Sequence, residues 1–101
     1  MSLERIACRT PNADGITNIP VWKFDVIRVA IINAITDAGQ DGLLFSELTG
    51  EVRKRLSASE LKDLGSVGWH TTTVKLELEV RGEIDRVAGK SPQRLFLVGK
   101  Q

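Results

Sequence analysis

The chain has 101 residues, of which 42% are hydrophobic and 27% charged, and its net charge is +1. That size suits one small domain with one core, and that balance argues against a dedicated nucleic-acid binder, which usually carries a clear basic excess. Cys8 is the single cysteine, so no intrachain disulfide forms and a thiolate metal site lacks thiol partners.

The lone thiol fits a reducing compartment, and Cys8 reads as an incidental group in a terminal arm. Met1 to Arg5 lead into no apolar leader. The longest apolar stretch, Val26 to Ile35, is broken by Arg28 and Asn33 and is too short to span a bilayer. A soluble, cytoplasmic protein is the expectation.

Residues 1–19 carry turn chemistry in "TPNADGITNIP", where Asn and Asp bond their own backbone and Gly15 tolerates positive φ. We read them as an extended arm packed at Ile16 and Ile19. Pro20 opens a helix that runs to about Ala38 and stops at Gly39. Phe24, Ile27, Ile31, Ala34, Ile35 and Ala38 form its core face. Trp22, Val26, Val29 and Ile32 point largely the other way, and a second apolar face needs a cover: the arm, another subunit or a ligand.

Asp41-Gly42 turns the chain and Leu43-Leu44 forms a short strand. Ser46 caps a second helix from Glu47 to about Leu56, with Leu48, Val52 and Leu56 inward. Arg53, Lys54 and Arg55 near its end complement the helix dipole. Ser59 caps a short turn carrying Leu61 and Leu64, closed by Gly65.

The segment "TTTVKLELEV", Thr71 to Val80, fits two structures. Val74, Leu76, Leu78 and Val80 alternate with charged residues, as in a half-buried strand. The same residues make two helical stripes: Val74 with Leu78, and Trp69, Thr73, Leu76 and Val80. Gly82 as a left-handed cap and Arg81 in the last turn favour the helix, whereas three consecutive β-branched threonines oppose it. Beyond Gly82, Glu83–Val87 and Arg94–Val98 flank a turn containing Gly89 and Pro92, which reads as a β-hairpin.

No catalytic constellation emerges. His70 is the only histidine, Glu77 lies two helical turns beyond it, and no serine sits in a nucleophile elbow. Gly39, Gly42 and Gly50 form no phosphate loop, and the His, Cys, Asp and Glu residues show no ligand spacing. The expectation is a non-enzyme without metal or cofactor.

The run Thr73-Val74-Lys75-Leu76-Glu77-Leu78-Glu79-Val80-Arg81-Gly82-Glu83-Ile84-Asp85-Arg86 resembles the recognition helix and first wing strand of winged helix-turn-helix domains. The frame is similar too, with a short strand at Gly42–Leu44 and "SEL" opening the second helix; the resemblance covers roughly residues 20–98. The whole chain also resembles a group of small bacterial proteins of this fold, with Pro-Asn in the arm and Gly-Trp before the third helix. The resemblance implies an α+β, mainly α fold: three helices, a C-terminal hairpin wing and an extended N-terminal arm, with residues 1–19 as arm and 20–101 as winged-helix domain.

It further implies a DNA-binding protein, a transcriptional regulator, contacting double-stranded DNA through His70, Thr71, Thr72 and Lys75 on the third helix and Arg86, Lys90 and Arg94 in the wing. One feature departs from the family pattern. The outward stripe of the third helix carries Trp69, Leu76 and Val80, and Leu and Val cannot read the polar edges of bases. The alternative is a protein–protein interaction or dimerisation module without nucleic acid. Its interface would be Trp22, Val26 and Val29 on the first helix and Trp69, Leu76 and Val80 on the third.

Overall fold

The chain begins by folding back on itself. A computed structural model describes residues 4–86 and 93–99. Strands β1 (Arg5–Arg9) and β2 (Ile16–Pro20) pair antiparallel, with Ile6 opposite Ile19 and Cys8 opposite Thr17. The arm is therefore a hairpin and not a simple extended tail. Of its two expected anchors, Ile19 is 2% exposed and Ile16 is 61% exposed. The pleat explains the split: residues an odd number apart in a strand point to opposite faces, so Ile16 and Ile19 cannot both face the core. Cys8, expected to be incidental, is buried in that core.

Pro20 ends β2 and caps helix α1 (Val21–Ala38), where its missing N–H costs nothing. Phe24, Ile27, Ile31, Ala34 and Ile35 are buried as expected, and Ala38 is partly buried. A 3-10 turn (Gly39–Asp41) leads into β3 (Leu43–Leu44) and helix α2 (Phe45–Lys54). Helix α2 starts ahead of Ser46, the expected cap; Leu44 occupies the cap position with no side-chain bond. The Phe45 N–H instead donates to the Gln93 carbonyl at 2.9 Å, so the start of α2 is tied to the C-terminal hairpin.

The expected short turn is a helix, α3 (Ala58–Leu64), so the described residues form four α-helices where three were expected. Ser57, not Ser59, caps it. Ser57 Oγ accepts from the Glu60 N–H, and Glu60 Oε1 accepts from the Ser57 N–H, a reciprocal capping box.

The ambiguous segment is helical. Helix α4 (Val67–Arg81) is capped by Ser66 and stopped by Gly82 in the left-handed conformation. Val74 and Leu78 are fully buried. Strands β4 (Ile84–Arg86) and β5 (Arg94–Leu97) follow, and β3, β5 and β4 form an antiparallel sheet with β5 in the centre. The fold is α+β and mainly helical. Its core lies between α1, α2 and α4, closed on one side by the small sheet and on another by the arm hairpin.

Candidate functional site

Helix α4 was expected to present the site, and the chain buries much of it. His70 is 9% exposed, and its Nδ1 lies 2.7 Å from the Ser66 carbonyl. Thr71 is fully buried, and its hydroxyl has no hydrogen-bond partner among the described residues. Lys75 is 3% exposed. Its Nζ lies 2.6 Å from Glu79 Oε2, donates to Gln93 Oε1 at 2.9 Å and sits 4.6 Å from the centre of the Phe45 ring. These three expected DNA contacts therefore offer no free donor at the surface. Neighbouring elements, with Phe45 and Gln93 closing on Lys75, cover the side of α4 that carries them.

Thr72 is exposed, as are Arg86 and Arg94 on the hairpin. Arg86 Nε lies 3.5 Å from Glu79 Oε1, and Arg94 Nη1 donates to the Asp41 carbonyl at 3.3 Å. Glu79 thus stands between two of the cations expected to meet DNA. Lys90 lies outside the described residues.

The outward stripe of α4 from Trp69 to Val80 is uncharged. Trp69 is 50% exposed, and Leu76 and Val80 are half-buried. Trp69 meets the edge of the His70 ring at 4.8 Å between centroids, which steadies the indole without covering it. Thr72 and Thr73 continue the surface between Trp69 and Leu76. Val80 lines the hollow beneath the arm's loop, so the arm shelters the C-terminal end of the stripe and leaves the Trp69 end open. On α1, Trp22 and Val26 are half-buried and Val29 is 54% exposed. The six apolar interface candidates thus fall on two separate helices and form two faces.

Sequence reasoning missed the acid that fastens the arm. Glu77 has a side chain only 1% exposed. Its Oε1 accepts from the Arg9 N–H at 2.7 Å and from Arg9 Nε at 3.1 Å, and its Oε2 accepts from Arg9 Nη2 at 2.7 Å and Arg81 Nε at 2.8 Å. Burial pushes the Glu77 carboxyl up, but the Arg9 and Arg81 bonds outweigh that and lower it to about 2. Burial, then the Glu77 charge, raises the Cys8 thiol, which keeps it protonated and inert. The Glu77–Arg81 spacing of four was a legible signal; Arg9, 68 residues away, was not. Among the described residues no group of three or more His, Cys, Asp and Glu is placed to hold a metal ion, and no helix is long and apolar enough to cross a membrane.

Sixty residues, 59% of the chain, are 40% identical to a segment of protein phosphatase methylesterase 1 from Neurospora crassa. That segment is 13% of the fungal protein, so the match concerns a small part of it. No solved structure matches the chain. Residues 5–95 match the model of DUF6958, a family of unknown function, and the chain belongs to that family.

Proposed function

We propose that this chain is a winged-helix domain that serves as a protein–protein interaction module, docking a partner protein on the open face of α4. The element order from α1 to β5 and the sheet order β3-β5-β4 support the winged-helix reading, with α3 as an added short helix before α4. One observation carries the functional reading: Trp69 is half-exposed on the outer face of α4, while Lys75, the cation of that helix expected to meet DNA, is buried against Glu79. An exposed aromatic flanked by small and apolar side chains is the usual anchor of a protein interface, whereas DNA binding needs free cations to displace counterions. The match to a short segment of a methylesterase carries no activity to this chain.

The second reading is DNA binding, favoured by the exposed Arg86 and Arg94 on the hairpin. Fluorescence anisotropy with a labelled random-sequence duplex at low salt separates the two. The interaction module leaves the duplex unbound at tens of micromolar protein. A DNA binder contacting ~4–6 phosphates gives binding whose log affinity falls with log salt at a slope of about −4 to −5, and that result overturns the proposal. A photo-crosslinker in place of Thr72, used in cells, is expected to give one discrete protein adduct that Trp69→Ala abolishes. Adducts indifferent to Trp69→Ala count against the docking face.

A further inference from the structure

Helix α1 retains a face after the core is filled. Trp22, Asp25, Val26, Val29, Ile32, Asn33 and Thr36 recur at spacings of three and four, so they share one stripe. Val29 is 54% exposed, and Val98 beside it is 51% exposed. The surface falls away on both sides of Val29. One groove, of about 430 Å³, runs toward Ile32 and Val98, and the other, of about 320 Å³, runs toward Val26 and Leu56. A ridge flanked by two grooves is the shape that lets helices interlock.

We infer that α1 packs against α1 of a second copy of this chain, antiparallel, about a two-fold axis at Val29. Any helical stripe is symmetric in position about its centre, but its chemistry need not be. Here it is compatible throughout. Val29 meets its own copy, Val26 meets Ile32, Trp22 lies over Thr36, and the Asp25 carboxylate faces the Asn33 amide, which can donate to it. Among the described residues neither Asp25 nor Asn33 has a side-chain hydrogen bond or ion pair within its own chain, so both are free for that contact. A parallel pairing would set Asp25 against Asp25, two like charges at one contact, and would align the helix dipoles unfavourably. The net charge of +1 leaves little overall repulsion between copies. An isologous contact of this kind closes on itself as a dimer. It uses none of the α4 face, so the two interfaces stand or fall separately.

Sedimentation equilibrium of the full chain tests the inference. The expected mass is twice the 11.1 kDa of one chain. Val29→Glu places two carboxylates at the axis and raises the dimer dissociation constant about 100-fold or more, with the far-UV circular dichroism unchanged because the site is half-exposed. Val29→Cys forms a disulfide with its own copy on mild oxidation, because positions on the axis of a close helix pair come within disulfide reach. Thr72→Cys does not crosslink. Trp69→Ala remains dimeric, so loss of the α4 reading leaves this result intact. A monomeric wild-type chain, a dimer that survives Val29→Glu, or crosslinking through position 72 in place of position 29 overturns the inference.

Discussion

Glu77 shows how one side chain joins the arm to the helical domain. An isolated buried carboxylate would protonate or destabilise the fold; here two guanidinium groups and a backbone N–H satisfy it. Its folded pKa, about 2, lies below the ordinary 4.5, so its stabilisation is fully present above pH ~4.5 and fades as pH falls toward 2. The shift would correspond to about 3 kcal/mol, and the half-exposed Arg9 partner reduces that to about 2 kcal/mol. Glu77→Gln should therefore lower unfolding free energy at pH 7 by about 2–4 kcal/mol, since it also strands the arginine donors. Urea titrations from pH 7 to pH 2.5 should show the gap to wild type narrowing with acid. A gap that stays constant would mean that packing, not charge, is what the substitution removes.

At the scale of the element, the turn before β3 is the tightest local requirement. Gly42 has φ +75, and a Cβ there would lie 2.7 Å from both the Leu95 carbonyl oxygen and the Phe96 ring. Left-handed strain and a clash with backbone act together, so Gly42→Ala should cost about 2–4 kcal/mol in thermal or urea unfolding. A change under ~0.5 kcal/mol would mean that β5 can shift away without penalty. Helix α4 was legible because its evidence is local: Val74 and Leu78 share a face, Gly82 supplies the left-handed cap, and Arg81 suits the last turn. The cap of α3 was legible too, but at the other serine: Glu60 lies three residues after Ser57, the spacing of a capping box, whereas Ser59 has Lys62 there.

For the whole molecule, the arm belongs to the same core as the helices. Cys8 and Ile19 are buried within it, Ile6 packs against it, and Arg9 neutralises Glu77. Deleting residues 1–19 exposes apolar surface on α1 and α4 and leaves a buried carboxylate with one partner fewer. Against a domain stability of about 5–15 kcal/mol, that loss should leave the remainder unfolded or molten, with near-UV circular dichroism lost and dye binding gained. A truncated chain that retains sharp near-UV bands would show that the arm is an accessory to an independently folding helical domain.

Sequence alone was enough for α1, the short strand before α2, the C-terminal strands and most core residues, while for α4 it favoured a helix over a strand without excluding the strand. Each of these rests on periodicity and caps, which act within a few residues. The accessibility of the site was decided only by tertiary structure. Helical spacing sets the angle between His70, Thr71, Thr72 and Lys75, but not which of them another element covers. Gln93 and Phe45 close over Lys75 from 18 and 30 residues away, and Arg9 reaches Glu77 across 68. Those contacts are set by how the hairpins dock, and so a sequence that resembles a recognition helix can turn Lys75 inward.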